Sequence, residues 1–137
     1  MMVEVRLFDR DLDGESVLGW ATARDYNYEL DMLPPTTWIV PDLAIVAVYT
    51  TNQPKLGFLD HLLSNPHSDA KVRDKAVQDL LYTAIRDTYE MGMERWVMYT
   101  SNPAVIERAR KQFFCQVTEP RALMIFNHNK LIGHNHE

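Results

Sequence analysis

Residues 56–81 read LGFLDHLLSNPHSDAKVRDKAVQDLL, and the change of hydrophobic period inside this stretch decides the fold. Leu56 to Leu63 is an apolar run of strand length, stopped by Asn65-Pro66. From Ser68 to Met91, Val72, Ala76, Leu80 and Ala84 recur every fourth residue, with Val77, Leu81 and Ile85 beside them. That spacing draws one broad apolar stripe along a helix, which Gly92 ends. A strand delivered directly into a long helix is the building unit of an α/β domain.

Working outward, Arg95 to Thr100 predicts the next strand, and Asn102-Pro103 supplies an N-cap followed by the residue best suited to the first helical position. Val105, Ile106, Ala109 and Phe113 mark the apolar side of that helix. Phe114 to Thr118 and Ala122 to Phe126 predict two more strands around Glu119-Pro120, and residues 127–137 a loose, His-rich tail. Upstream, Thr37 to Val40 and Leu43 to Thr50 are β-branched and aromatic runs separated by Pro41-Asp42. Asn27 to Leu33 reads as loop or irregular helix before Pro34-Pro35. Glu15 to Ala23 predicts a short helix after an acidic, turn-like Asp9 to Gly14, and Val3, Val5 and Leu7 alternate with Glu4 and Arg6 as in a half-buried strand. With no repeat or composition shift, residues 1–126 are expected to form one domain.

The bulk numbers narrow the function. A chain of 137 residues with 46% hydrophobic and 24% charged content has the size and balance of one globular domain. A net charge of −5 gives no overall attraction to phosphate backbones or anionic lipid, so nucleic acid is not the expected partner. No apolar run approaches the ~20 residues of a membrane span. Nor does a signal-peptide pattern open the chain, so the expected location is the cytoplasm. The single cysteine, Cys115, excludes an intrachain disulfide and a thiolate metal site, and reads as a small core residue in an apolar strand.

Lys71, Arg73 and Lys75 crowd the first turns of the long helix, where the helix dipole disfavours cations. Either a bound anion such as a diphosphate compensates them, or Asp69, Asp74 and Asp79 pair with them on a solvated face. Asp9, Asp11, Asp13 and Gly14 copy the opening of a calcium loop, but position twelve is Trp20 where a bidentate Glu is needed, so they are expected to cap the first helix instead. His128, His134 and His136 could take a divalent metal only adventitiously, and no metal site is expected.

The order of elements together with NPHSDAKVRDKAVQDLL and MGMERWVMYTSNPAVIERARKQFF resembles the GNAT acetyltransferase superfamily, over about the last half of the chain. The SNP turn and the Ala in place of Gly look most like GNAT-like proteins encoded by bacteriophages. The resemblance implies a mixed α/β sheet of six to seven strands flanked by three to four helices. It also implies acetyl-CoA gripped by a (Q/R)xxGx(G/A) motif. Arg73 takes the first motif position, while Ala76 and Gln78 stand where small glycine-like residues are usual. Leu62, Leu63 and Ser64 would supply the strand edge that holds the cofactor, and Asn102 matches an asparagine at the following helix start. The position of a tyrosine that protonates the leaving thiolate in many relatives is Ala109, and a usual Gly is Phe113.

A general base must lie within reach of the amine and hold a suitable pKa, which His offers and a carboxylate can acquire. Asp60 and His61 are the candidates, pointing to opposite faces because side chains alternate along a strand, so that only one is expected to face a substrate cleft. In the resembling enzymes a carboxylate on this strand often works through water, which puts Asp60 first and His61 second. Alternatively Asp60 is a salt-bridge partner and His61 a hydrogen-bonded core residue. Two functions follow: an acetyl-CoA-dependent N-acetyltransferase acting on an amine of a protein or small molecule, or a catalytically degenerate relative serving as a phage virion or host-interaction component with protein partners. Self-association is left open by the sequence.

Overall fold

The carboxylate of Asp9 accepts from the N–H groups of Asp11 and Leu12 at 3.0 and 3.3 Å, which starts the first helix five residues earlier than its apolar stripe suggests. In the computed structural model, which describes residues 4–52, 55–100 and 102–113, this helix is α1, Arg10–Ala23. It follows a two-residue strand β1, Arg6–Leu7. Leu7 is exposed, and Arg6 instead turns toward α1, against the expected alternation. Its guanidinium meets Asp13 through Nη1–Oδ2 at 2.8 Å and Nη2–Oδ1 at 2.7 Å, while the Asp9 N–H donates to the same carboxylate at 2.9 Å. Asp13 is thereby spent on an ion pair. Among the described residues no group of His, Cys, Asp or Glu is arranged to hold a metal.

A single 3-10 turn, Leu30–Met32, interrupts the segment that leads to β2, Thr37–Val40. Asp42, at φ 66°, turns the chain into β3, Ala44–Tyr49. Then come β4, Leu56–Ser64, helix α2, Ala70–Glu90, and β5, Arg95–Met98. The sheet order is β1-β2-β3-β4-β5, antiparallel throughout except for the parallel β4–β5 pair. Among the described residues five strands stand where six to seven were expected of the whole domain, and the two further candidates at 114–118 and 122–126 lie outside the described residues, as does the tail.

β2 is buried at every position and β3 at all but Tyr49, because helices cover both faces. On one face Val17, Trp20 and Ala21 of α1 pack with Ile39, Ile45 and Leu63. On the other, α2 lies over β2 and β3 with Ala76, Val77, Leu80, Leu81, Ala84 and Thr88 buried. Each large aliphatic side chain so removed from water contributes about 1.5–3 kcal/mol. β5 is tied to α2 by the Trp96 Nε1–H, which donates to Thr88 Oγ1 at 2.9 Å. Gly57 faces that indole so closely that a Cβ would come within 2.7 Å of Trp96 Cδ1.

The chain divides after Met98 into two compact units. In the second, α3 spans Pro103–Gln112, with the Asn102 side chain accepting from the Ala104 N–H at 2.9 Å as the cap. Lys111 closes back on Glu107 at 3.1 Å near its C-terminal end.

Replacing Asp13 by Asn is expected to cost about 2 kcal/mol, since it leaves a partly buried guanidinium without its charged acceptor. The Arg6 hydrogen bonds hold the Asp13 carboxyl below its ordinary range. That contribution is therefore complete above the unfolded value near 3.9 and disappears as pH falls through the lowered folded value. Urea melts of both proteins at neutral pH and under strong acid check this. Gly57→Ala should destabilise by about 1–3 kcal/mol through displacement of Trp96, read in the same melts together with the tryptophan emission.

Candidate functional site

β3 and β4 do not keep step. Ala47 is paired with Asp60 and Ile45 with Leu63, so β4 spends one more residue than β3 between these pairs. The surplus is accommodated at His61, whose φ of 58° lies in the left-handed region. That conformation costs a non-glycine residue on the order of 1–2 kcal/mol. Two side chains offset it by taking up the backbone groups diverted from the ladder. The Tyr28 hydroxyl donates to the His61 carbonyl at 2.9 Å, and the His61 N–H donates to Asp60 Oδ1 at 2.7 Å.

The bulge corrects the expectation that Asp60 and His61 point to opposite faces. With alternation broken, Asp60 Oδ2 lies 3.9 Å from His61 Nε2. The Asp60 carboxylate is 62% exposed and the imidazole 21%. Tyr49, at the end of β3, brings its hydroxyl within 2.6 Å of His61 Nε2 and 2.6 Å of the Met32 carbonyl. Both tyrosine rings stand edge-on to the imidazole, with centroids 5.6 Å away for Tyr28 and 5.7 Å for Tyr49. Burial, followed by the Asp60 charge, pushes both phenols upward. Both hydroxyls are therefore held as donors. Neither tyrosine stands out in the sequence, since Tyr28 lies in a segment without periodicity and Tyr49 meets His61 only through the sheet register.

β5 accompanies β4 only from Leu56↔Arg95 to Leu59↔Met98. Beyond that point, among the described residues, β4 has a ladder partner only on its β3 side. The predicted edge residues divide. Leu62 is half-buried, whereas Leu63 is 2% exposed in the core beneath α1. Ser64 is clamped by Arg24, which donates from Nε to the Ser64 carbonyl at 2.7 Å and from Nη2 to Oγ at 2.8 Å.

The start of α2 differs from a cofactor loop. Asp69 caps the helix, its Oδ2 accepting from Lys71 N and Val72 N at 3.1 Å each. The Arg73 N–H already bonds to the Asp69 carbonyl at 2.9 Å, so Arg73, Ala76 and Gln78 all lie within regular helix. Ala76 is fully buried and Gln78 half-buried. Arg73 Nη1 donates to the carbonyls of Ser68 at 3.1 Å and Asn65 at 3.4 Å, binding the β4–α2 loop to the helix. Its Nε and Nη2 make no hydrogen bond among the described residues. Lys75 pairs with Asp79 at 2.9 Å. Asn102, the remaining predicted cofactor residue, is the cap of α3 in the second unit.

No protein-family profile matches the sequence, and no curated protein is significantly similar to it. Solved structures are similar in fold. An acetyltransferase from Trypanosoma brucei superposes with a TM-score of 0.61 at 7% identity, covering 91% of this chain and 100% of that one. Glucosamine-6-phosphate N-acetyltransferase from Arabidopsis thaliana gives 0.59 at 8% identity, over 93% and 99%. N-acetylglutamate synthase from Neisseria gonorrhoeae, in complex with coenzyme A and N-acetyl-glutamate, gives 0.60 at 14% identity, over 80% of this chain and 28% of that one. The chain thus has the GNAT acetyltransferase fold. No helix among the described residues is long and apolar enough to cross a membrane.

Tyr28→Phe should remove the donor to the His61 carbonyl, lower stability by about 1 kcal/mol, and delete a late-ionising component from the phenolate absorbance titration. Thermal melts and an alkaline spectrophotometric titration measure the two effects.

Proposed function

We infer that the chain transfers an acyl group from an acyl-CoA to an amine, at the edge of β4 where β5 departs. The observation that carries this reading is the coincidence of that departure, after Leu59, with the bulge at Asp60 and His61. An extended amide-bearing arm adds to a free strand edge much as another strand does, through main-chain hydrogen bonds. The Asp60 to Ser64 edge would hold the pantetheine arm, and Arg73, through the donors left on Nε and Nη2, would contact the diphosphate. The thioester supplies an activated acyl carbon. The chain's own residues then have two tasks. A backbone N–H polarises the acyl carbonyl, and the Asp60–His61 pair removes a proton from the attacking nitrogen.

The fit is uneven along the cofactor. Among the described residues the β4 edge is open beyond Leu59, although side chains already take up the His61 N–H and carbonyl and the Ser64 carbonyl. The first N–H groups of α2 are capped by Asp69, so Arg73 is left to meet the diphosphate with little help from the helix terminus. The same observation favours a second reading, a binding protein that keeps the fold without the chemistry, such as a phage virion or host-interaction component. Fully buried Ala76, and Ala109 and Phe113 in place of the relatives' tyrosine and glycine, point the same way.

Calorimetric titration and thermal shift with acetyl-CoA separate the two. Binding with heat release and a raised melting temperature is expected for the transferase, whereas no heat and no shift at millimolar ligand would leave only the second reading. Where binding is seen, Arg73→Ala should weaken it roughly 5- to 10-fold, about the worth of one charge-assisted hydrogen bond. Unchanged affinity would remove Arg73 from the diphosphate site.

A further inference from the structure

His61, Tyr49 and Asp60 together settle a question that the position of the base leaves open, namely which atom takes the proton. A phenol has one hydrogen to donate. The Tyr49 hydroxyl sits 2.6 Å from the Met32 carbonyl oxygen, which can only accept, so the phenolic hydrogen belongs to that bond. The same hydroxyl oxygen lies 2.6 Å from His61 Nε2. With its hydrogen committed to Met32, it can only accept there, and Nε2 must be the donor. Asp60 gives an independent reason for the same assignment. Its Oδ2 is 3.9 Å from Nε2, a position that favours an N–H bond dipole and opposes a lone pair.

We propose that His61, in its neutral form, carries its proton on Nε2 and is the proton-accepting group of the site through Nδ1, with Tyr49 and Asp60 as positioning residues. Among the described residues no hydrogen bond is made to Nδ1. The arrangement inverts the ranking suggested by sequence, in which Asp60 acts as the base. Asp60 Oδ1 is engaged by the His61 N–H at 2.7 Å and holds the bulge, while its other oxygen faces Nε2. The chain from the Met32 carbonyl through Tyr49 Oη to Nε2 fixes the orientation of the ring.

The chemical role rests on the acyl-transfer reading. As the amine nitrogen bonds to the acyl carbon, Nδ1 takes the nitrogen's proton. The carbon–sulfur bond breaks and its electron pair leaves on sulfur. The imidazolium then gives the proton to the thiolate or to water, which restores the Nε2–H form and balances charge without another reactant.

Long-range nitrogen–proton correlation spectra of the full, uniformly nitrogen-15-labelled chain read the tautomer directly, with a His61→Gln variant assigning the signal. The expected result is a pyrrole-type Nε2 and a pyridine-type Nδ1 for neutral His61. A pyrrole-type Nδ1 would overturn the proposal, whatever acyl transfer shows. Tyr49→Phe removes only the hydroxyl, and should shift His61 toward a mixture of tautomers. In an acetyl-CoA assay with an amine acceptor it should lower kcat several-fold with little change in the KM for acetyl-CoA. Retention of the wild-type tautomer and kcat in this variant would remove Tyr49 from the role. If the tautomer is as expected but no transfer is detected with any amine, the acyl-transfer reading fails and the proton assignment stands.

Discussion

β4 must satisfy two neighbours at once, an antiparallel β3 on one side and a parallel β5 on the other, and it does so with one residue too many against β3. The left-handed backbone at His61 absorbs that residue. Its consequences spread in both directions. Toward the core, the shift in side-chain phase returns Leu63 to the α1 face, where it packs with Val17, Trp20 and Ile45. At the bulge itself, it brings Asp60 and His61 together and aims the imidazole at two tyrosines from separate segments. A regular strand would have sent one of the pair into the opposite layer.

The bulge persists because each diverted backbone group finds a side chain. Tyr28 comes from an irregular segment that follows α1, so the placement of α1 bears on the geometry of His61. That placement depends in turn on Arg6 and Asp13, which join β1 to the helix. The route from a half-buried ion pair at the N-terminal edge to the geometry of His61 is thus a chain of packed and hydrogen-bonded neighbours, each a contact of ordinary strength.

Electrostatics at the start of α2 tell a different story from the charge count. Three cations near a helix N-terminus look like an unfilled anion site in sequence. In the folded chain Asp69 supplies the anion from within, Lys75 is paired to Asp79, and Arg73 is shared with loop carbonyls. The helix also begins before Arg73, which places all three motif positions within regular helix, Ala76 on its buried face. A helix whose N-terminus is already capped from within gains less from an added anion there.

Much of this was legible in the residues alone. Hydrophobic period placed β4, α2 and β5 within a few residues of their observed limits, and Asn102-Pro103 marked the start of α3, because local propensity and burial agree there. The apolar stripe of α1 is shorter than the helix, since its first turns are acidic and rest on a cap and an ion pair that no apolar stripe announces. The alternation in β1 points to the wrong buried side, because Arg6 finds Asp13 only after α1 folds back. What the sequence by itself determined was the order and kind of the elements, which depend on spacing along the chain. Which side chains meet at the site was decided only by tertiary structure. A single extra residue in a strand pairing leaves no mark in composition or period, yet it reverses the facing of every side chain beyond it.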